Sequence, residues 1–304
     1  MADKTAPDLS IVIASINPGP VLLDTLAALE QQCGFRAEVI VVDASNDDTS
    51  HLVRVRFPWV RVIDSPETPS FPKLRGIGIA ESRGAIVGVL DAWCLMSDRW
   101  VTAAIRAHGE RGHVAIGGGV DLERYEREHF SAWATYLFDY WEFVPPFPEG
   151  AVGVLSGNNI TYKRSALPEP DVLRRDGFWK SFVNSGLKQN GAEFWAAPAL
   201  TVRLRRRLPL GAFLRSRFHH GRSYAAMRTR GASFASRVGR AATTPALPFV
   251  FFWRQFRGLA GKSGARGWLL RTTFAMLAFH ASWAFGEFCG YLTGAGRSDD
   301  AIQS

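Results

Sequence analysis

The sequence predicts an α/β fold, with a mostly parallel central sheet flanked by helices, followed by a helical C-terminal region. Two observations in the first 120 residues predict the sheet: near-continuous apolar runs of strand length, and stretches of helical periodicity between them. A change of charge after about residue 205 marks the C-terminal region. With 304 residues, of which 47% are hydrophobic and 21% charged, the chain can bury a substantial core.

Five apolar runs in this first part are predicted to be strands, and the intervals between them are predicted to be helices. The runs are short and rich in Val, Ile and Leu, which is typical of strands buried on both faces. The predicted strands are Leu9–Ala14, Glu38–Val42, Val60–Ile63, Ala85–Leu90 and Val114–Gly118, and the predicted helices are Val21–Gln31, Thr49–Arg56, Leu74–Ser82 and Arg99–His108. Parallel sheets bind ligands at the carboxyl ends of their strands. The first candidates for a functional site are therefore Ser15–Asn17, Asp43–Asn46 and Asp91–Cys94.

An aromatic-rich stretch, Phe130–Phe147, follows the predicted sheet strands. A core helix is one interpretation. A wall of an acceptor site, or a lid that touches a membrane, is the other, because Trp and Tyr suit interfaces. Beyond it the pattern predicts a turn at Gly157–Asn159, a strand at Ile160–Lys163 and a helix at Phe178–Gln189.

The net charge of +8 is unevenly distributed along the chain. Phe194–Gly286 contains no Asp or Glu but 15 Arg and Lys262, whereas the rest holds 20 basic and 28 acidic residues. A long basic segment without acids favours a polyanionic partner. The sequence has no DNA- or RNA-binding motif, and apolar sequence flanks the basic segment. An anionic membrane surface is therefore the expected partner, and nucleic acid is not.

The C-terminal region also carries two apolar stretches, Leu247–Phe252 and Trp268–Tyr291. Thr272–Gly286 has no formal charge but is shorter than the about 20 apolar residues of a spanning helix. Arg271, next to it, suits a position at a membrane interface. Three arrangements of Trp268–Tyr291 stay open at this point: on the membrane, across it, or buried against the N-terminal domain.

The compartment follows from the N-terminus and the cysteines. The segment MADKTAPDLS has no apolar core, so no secretory signal is expected. Cys33, Cys94 and Cys289 have neither metal-site spacing nor a disulfide pattern, which favours a reducing compartment. With the basic segment, this predicts a peripheral or monotopic protein on the cytoplasmic face of the inner or plasma membrane.

Several blocks of the chain resemble the inverting family-2 glycosyltransferases. LSIVIASINPGPVLLDTLAAL resembles the family's opening strand and helix, EVIVVDASNDDTS its second strand, and KLRGIGIAESRGAIVGVLDAWC the helix and strand that deliver its acidic motif. SGNNITYKRSAL and DGFWKSFVNSGLKQNG resemble its acceptor-side blocks, and RFHHGRSYAAMR a basic element of a membrane-associated bacterial branch. These blocks cover most of residues 9–230 in the family's order. The resemblance implies a GT-A fold, which is Rossmann-like, over residues 1–205 and a basic, helical, membrane-associating region over residues 206–304.

The resemblance also implies a reaction and a nucleotide site. The reaction is transfer of a sugar from a nucleotide diphosphate sugar to a membrane-linked or polysaccharide acceptor, with inversion at the anomeric carbon. Ser15, Asn17 and Asp43 stand where the family meets the nucleotide base. Lys73 and Arg75 stand where it contacts base or diphosphate, and an Arg fork matches phosphate oxygens.

The acceptor side is predicted from chemistry as well as from position. Amide groups and aromatic faces suit the hydroxyls and the C–H faces of sugars. The candidates are Trp141, Asn158, Asn159 and Trp179. For Asn158 and Asn159 a self-capping turn is the structural alternative.

The expected catalytic groups depart from the family's pattern. The family holds Mg²⁺ or Mn²⁺ on several carboxylates of a DXD-like motif, whereas Leu90–Cys94 supplies only Asp91. The histidine that some relatives use as a further ligand is absent from Val202–Arg205. The position of the general base is Lys180, and the nearest carboxylate is Asp176.

These departures leave two alternatives. In the first, the protein is a metal-independent transferase whose fixed cations neutralise the leaving diphosphate. The candidate cations, for phosphate or lipid, are Lys73, Arg75, Arg203, Arg205 and Arg222. In the second, a non-catalytic relative binds a nucleotide, a glycan or a partner protein at the membrane.

Overall fold

A computed structural model of the chain describes residues 6–68 and 70–298. The first half of MADKTAPDLS, on which the expectation of no secretory signal rests, lies outside these residues. The chain divides into two compact units, Met1–Asp121 with Pro145–Arg205, and Leu122–Val144 with Arg206–Ser304.

The strands of the described residues are short, and most belong to one large sheet. They are β1 Leu9–Ser15, β2 Ala37–Asp43, β3 Arg61–Asp64, β4 Ile86–Asp91, β5 Cys94–Met96, β6 Ala115–Gly117, β7 Val120–Leu122, β8 Gly150–Val152, β9 Asn159–Lys163, β10 Phe194–Ala196 and β11 Val202–Leu204. The helices lengthen towards the C-terminus. They are α1 Val21–Cys33, α2 Thr49–Arg56, α3 Phe71–Glu81, α4 Trp100–Glu110, α5 Phe130–Tyr140, α6 Pro170–Asp176, α7 Lys180–Gln189, α8 Leu210–Arg228, α9 Phe234–Thr243, α10 Leu247–Ala260 and α11 Ser263–Thr293.

The large sheet has the strand order β3-β2-β1-β4-β9-β6-β10-β8. Its first four strands are parallel, and β1 lies between β2 and β4. All seven residues of β1 are buried, as expected for a central strand covered on both faces. β9 runs antiparallel between β4 and β6, and β8 is antiparallel to β10. The predicted α/β fold with a mostly parallel sheet is thus confirmed.

A second, three-stranded sheet has the order β5-β11-β7. β5 begins three residues after the end of β4 and pairs antiparallel with β11. Next to this pairing, the backbone N–H of Arg205 donates to the carbonyl of Trp93 at 2.9 Å. The residue after β11 is therefore bonded to the loop that follows β4.

The second unit is helical and contains the aromatic-rich stretch. α5, α8 and α11 contribute the core residues Ala134, Phe138, Phe213 and Phe279, with the Phe213 and Phe279 rings 4.6 Å apart. The predicted division at 205/206 therefore needs an amendment: Leu122–Val144 belongs to the C-terminal unit. The apolar face of α5 packs on helices distant in sequence, and local periodicity does not reveal such packing.

α11 packs closely along α8 in this unit. Glycines on both helices make the approach possible: a Cβ on Gly221 would overlap the carbonyl oxygen of Trp283, and a Cβ on Gly286 would overlap that of Phe218. Among the described residues, no helix is both long and apolar enough to cross a membrane.

Candidate functional site

The loops after β1 and β2 are tied together by Asn17 at the carboxyl edge of the sheet. Asn17 has φ 46°, a left-handed conformation that Asn tolerates better than most residues. Its backbone N–H donates to Ser45 Oγ at 2.8 Å, and its Oδ1 accepts from Asn46 N–H at 3.1 Å. Asn17 therefore shapes the predicted base-binding edge through its backbone and side chain together.

Asp43 ends β2 at this edge and is 3% exposed. Its Oδ1 accepts from the Ser45 hydroxyl at 2.7 Å and its Oδ2 from the Ser50 hydroxyl at 2.9 Å. A carboxylate has about four lone-pair sites, so two remain for a ligand N–H. Nearby, Ser15 is fully buried and its hydroxyl has no hydrogen-bond partner within the described residues.

Asp91 ends β4 and is paired with Arg75 from α3. Arg75 Nη2 lies 2.6 Å from Asp91 Oδ1, and the two side chains are 19% and 9% exposed. The guanidinium also lies over the Phe71 ring, 5.7 Å from its centroid. Partial burial strengthens this attraction relative to a surface pair. The one carboxylate of the expected acidic motif is thus already matched by a fixed cation.

The amino end of α3 is packed directly on the end of α6. A Cβ on Gly76 would overlap the carbonyl of Leu173, and Gly177 has φ 78°, which favours glycine. Phe178 N–H donates to the Pro72 carbonyl at 2.6 Å, and Lys73 Nζ donates to the Arg175 carbonyl. This packing brings the predicted residues of the 176–180 segment to the helix that carries Lys73 and Arg75.

Asp176 and Trp179 lie at this junction. The Arg175 guanidinium donates to both oxygens of Asp176, at 3.1 and 2.9 Å, and this hydrogen bonding holds the pKa of the Asp176 carboxyl below its usual value. Trp179 Nε1–H donates to the Asp176 carbonyl at 3.1 Å. Asp176 is therefore an exposed, ionised carboxylate beside an aromatic ring.

Lys180 and Asn158 meet at the loop before β9. Lys180 Nζ donates to the Leu155 carbonyl at 3.2 Å, and its chain lies against Gly157. Asn158 is 2% exposed; its Oδ1 accepts from the Ser156 hydroxyl, whereas its Nδ2 has no partner within the described residues. Of the two predicted asparagines, Asn158 alone keeps a donor for a ligand.

The acceptor prediction for Asn159 is not supported, because its side chain is fully buried and occupied. Its Oδ1 accepts from Trp100 Nε1–H at 3.1 Å, and its Nδ2 donates to the carbonyls of Gly119 and Leu200 at 3.1 and 2.6 Å. These bonds link the large sheet to α4 and to the chain before β11. Asn159 is a structural residue.

Two predicted site residues belong to the second unit. Trp141 follows α5 and packs so closely on α10 that a Cβ on Gly258 would overlap its ring. Arg222 Nε donates to the Gly294 carbonyl at 3.0 Å, and its Nη2 donates to Thr293 Oγ1 at 3.2 Å. The Arg222 guanidinium therefore caps the carboxyl end of α11, where a cation is favourable, and the prediction that it contacts phosphate or lipid is not supported.

The two remaining predicted cations lie on or after β11 in the first unit. Arg203 is exposed and stands opposite Leu95 of β5. Arg205 pairs with Asp24 in the first turn of α1. Since its backbone also bonds to Trp93, Arg205 lies beside the loop that follows Asp91.

The residues at this edge do not fit a divalent metal. Hard cations need several oxygen ligands, but Asp91 is the one acid of its loop and is paired with Arg75. Over residues 6–68 and 70–298, no group of three or more His, Cys, Asp or Glu side chains is arranged to hold a metal.

Sequence reasoning missed Ser50, which donates to Asp43, and the ring of Phe71 beneath Arg75; it included Ser45 in the candidate segment Asp43–Asn46 without giving it a role. Ser45 stands in the Ser/Thr-rich turn after β2 and Ser50 in the first turn of α2, so the hydroxyl-rich composition of this segment was the signal for both. Phe71 starts α3, and its ring lies 6.0 Å from that of Trp93, edge to face. The Phe71–Arg75 contact has the i, i+4 spacing of a helix and so had a local signal, whereas the Phe71–Trp93 contact joins two distant segments.

A sequence profile of the family described as "Glycosyl transferase family 2" matches residues 10–169, which is more than half of the chain. The chain belongs to this family. The match begins in β1 and includes Asp43, Arg75, Asp91 and Asn158, and so most of the candidate site.

One relative in sequence and two solved structures are similar to this chain. The glycosyltransferase AglE of Haloferax volcanii is 26% identical over 192 residues, which cover 54% of this chain and 62% of that protein. The chain thus spans less than two thirds of that relative's length. The mannosyltransferase PcManGT of Pyrobaculum calidifontis, solved with GDP-Man and Mn²⁺, is similar in structure, with a TM-score of 0.51 and 16% identity over 90% of this chain and 86% of that one. GalNAc-T7, solved with UDP, GalNAc and Mn²⁺, has a TM-score of 0.50 and 15% identity, over 68% of this chain and 45% of that one. The GT-A fold expected from the sequence is confirmed.

Proposed function

We propose that this family-2 member transfers a sugar from a nucleotide diphosphate sugar to a membrane-linked or polysaccharide acceptor, using fixed cations in place of a metal. The observation that carries the proposal is the Arg75–Asp91 pair, 2.6 Å apart at the end of β4. Within this pair, Arg75 places a guanidinium at the position where the family's carboxylates hold a cation.

The nucleotide binds along the carboxyl ends of β1, β2 and β4. Asp43 accepts an N–H of the base through its remaining lone pairs, and Ser15, whose hydroxyl is unpartnered, makes a second polar contact. The diphosphate lies against Arg75, Lys73 and Arg205. A guanidinium held by packing stabilises the charge that develops on the leaving diphosphate without reorganising during the reaction.

The acceptor binds on the side of α6 and α7. Trp179 offers an aromatic face and Asn158 Nδ2 a hydrogen-bond donor. The acceptor hydroxyl attacks the anomeric carbon, the bond from that carbon to the diphosphate oxygen breaks, and the hydroxyl proton passes to the ionised Asp176 carboxylate. Lys180, bonded to the Leu155 carbonyl, positions this loop. Direct displacement inverts the configuration.

A location at the cytoplasmic membrane face fits the second unit. α11 exposes Phe274 at 86% and Phe285 at 61%, and α10 exposes Phe249 at 71% and Trp253 at 59%. This surface comes from the segment without acidic residues. Exposed aromatic rings beside arginines suit a peripheral or monotopic position on an anionic bilayer.

The competing function is a non-catalytic relative that binds a nucleotide, a glycan or a partner protein. The observation that favours it is the same Arg75–Asp91 pair, since an ion pair can also simply close the site. The two similar solved structures contain Mn²⁺. A metal-dependent reaction is therefore a third outcome that the following test distinguishes.

The test is release of nucleoside diphosphate from a panel of nucleotide sugars, with membranes as the source of acceptor, in EDTA and in Mn²⁺. Turnover in EDTA supports the cation mechanism. Turnover in Mn²⁺ alone contradicts it, although the protein would still be a transferase. No turnover in either condition, with nucleotide binding retained, supports the non-catalytic alternative.

A further inference from the structure

A cavity in the second unit lies where α8, α9, α11 and the start of α10 meet, outside the site described above. Its volume is about 360 Å³. The side chains that line it include Arg228, Arg240, Ser236, Leu247, Glu287 and Tyr291. We propose that this cavity binds a phosphodiester, in the form of the headgroup of an anionic phospholipid.

The floor of the cavity is a fixed polar network. Glu287 is 3% exposed; its Oε1 accepts from Trp283 Nε1–H at 2.6 Å and its Oε2 from the Tyr291 hydroxyl at 2.9 Å. Arg228 Nη1 donates to the Tyr291 hydroxyl oxygen at 3.3 Å. The Glu287 carboxylate is therefore held in place by two protein donors, and Arg228 is held at the cavity wall.

The second wall is α9, which is pinned to α11. Arg237 donates to the carbonyls of Tyr291 and Leu292 at 2.6 and 2.9 Å. This anchoring directs Ser236 and Arg240 of the same helix to the cavity. Within the described residues, the Arg240 guanidinium makes no hydrogen bond or ion pair to the protein, so its donors are available to a ligand. Arginine is well suited to phosphate oxygens because its donors form a planar fork.

The net charge of the side chains that line the cavity favours a singly charged anion over a doubly charged one. Arg228 and Arg240 contribute two positive charges and Glu287 one negative charge, so the net charge is +1. A phosphodiester carries one negative charge and matches this balance. A dianionic phosphate carries a second negative charge, which the net charge of the lining does not compensate and which the Glu287 carboxylate repels.

The surroundings of the cavity indicate a lipid rather than a soluble diester. The helices that form it expose bulky apolar side chains: Phe234 at 70% and Val238 at 41% on α9, and Phe249 at 71% and Val250 at 50% on α10. The segment from Phe194 to Gly286 has no acidic residue that would repel an anionic surface. A phospholipid would place its anionic headgroup in the cavity and its acyl chains beside these apolar side chains. This accounts both for the exposed apolar residues and for the absence of acids from the segment.

The experiment measures binding of a short-chain phosphatidylglycerol, below its micelle concentration, to the full chain by calorimetry. Arg240→Gln and Arg228→Gln are each expected to weaken binding about tenfold, because each removes a charged hydrogen bond. Arg257→Gln is the matched control: it removes the same charge from an exposed position that does not line the cavity. It is expected to leave binding unchanged. Thermal unfolding of each variant verifies the fold.

Two results would overturn the proposal. Equal weakening by all three variants would mean diffuse attraction to the basic segment rather than a site. If inorganic phosphate bound as tightly as the lipid, the ligand of the cavity would be free phosphate and not a lipid headgroup. Because neither measurement involves sugar transfer, failure here is distinguishable from failure of the proposed function.

Discussion

At the scale of single residues, the guanidinium of Arg75 determines the electrostatic environment at the end of β4. Arg75 is 19% exposed, pairs with Asp91 and stacks over Phe71. Such a residue has few alternative positions, and a preorganised cation is more effective at a developing charge than a mobile one. The role of Arg75 in the proposed reaction therefore has a direct test.

Arg75→Gln is expected to lower the rate of sugar transfer about 100-fold, the usual cost of removing one preorganised group that stabilises a developing charge. Arg83→Gln is the matched control, since Arg83 pairs with Glu38 at the opposite edge of the sheet and is 71% exposed. Rates are measured by nucleoside diphosphate release in EDTA. An Arg75→Gln rate equal to that of Arg83→Gln would contradict the cation mechanism.

A second test at this scale concerns a buried histidine of the second unit. His280 lies between the rings of Phe138 and Phe251, and its Nε2 lies 2.9 Å from Gln255 Oε1. Because Gln255 Nε2 donates to the Phe138 carbonyl, its Oε1 is the acceptor and His280 is the donor. Desolvation lowers the pKa of His280 from 6.5 to about 4.

The free energy of unfolding should therefore fall on acidification. Below pH 6.5 the unfolded chain gains a proton on this residue and the folded chain does not, so stability is lost between pH 6.5 and about 4. The loss reaches about 3 kcal/mol for this one group. His280→Gln should reduce the pH dependence of Tm, and His51→Gln, at an exposed position of α2, should not. Equal slopes in all three proteins would refute the prediction.

At the scale of elements, the second unit depends on the close packing of α8 against α11. Gly221, Gly286 and Gly290 lie at this contact, and each would place a Cβ on a backbone atom of the other helix. Small residues at a helix–helix contact let the two backbones approach each other. The same glycines cost helix propensity, which the packing of the helices must offset.

Gly286→Ala should destabilise the protein by about 2 kcal/mol, because the added methyl group has no room and the helices must separate. Gly267→Ala lies on the same helix, where a Cβ would meet nothing within 4 Å. It should be neutral or stabilising, since Ala favours helix over Gly. The measurement is urea unfolding followed by circular dichroism. Similar effects of the two changes would show that the close contact is not needed.

At the scale of the whole molecule, net positive charge and exposed apolar side chains are concentrated in the C-terminal part of the chain. Leu270, Phe274, Phe285 and Phe288 of α11 are exposed and recur at intervals that place them on one face of the helix. Glu287, the single acid of α11, is buried. The exposed face of the helix is therefore apolar and without negative charge.

Replacing Phe274 and Phe285 together by Ser should weaken binding to phosphatidylglycerol vesicles about tenfold or more, because two exposed rings no longer enter the bilayer interface. Val55→Ser, at a 68% exposed position of α2, is the control. Vesicle sedimentation is the measurement, with size-exclusion chromatography of each protein. A change of oligomeric state without a change in vesicle binding would assign this face to a second copy of the chain.

The local pattern of apolar residues was sufficient to predict most helices and strands of the first unit. The predicted helix at Thr49–Arg56 has the observed bounds, and the predicted strands before Asp43 and Asp91 differ from β2 and β4 by one residue at each end. Apolar runs and their spacing predict such elements because a strand buried on both faces must be apolar throughout. The positions of Asp43 and Asp91 at strand ends were therefore predicted from this pattern, whereas Arg75 was predicted only from the family resemblance.

The partners of these residues were decided by tertiary structure. The Arg75–Asp91 pair and the buried bonds of Asn159 each join segments that local periodicity does not relate. The same holds for Leu122–Val144, which joins the C-terminal unit because the apolar face of α5 packs on α8 and α11. Sequence periodicity reports which side of an element is apolar, and so determined the elements of the sheet, whereas the distribution of charge along the chain determined the basic C-terminal region. Which surface that apolar side meets, and which charge a carboxylate faces, is set by packing between distant segments.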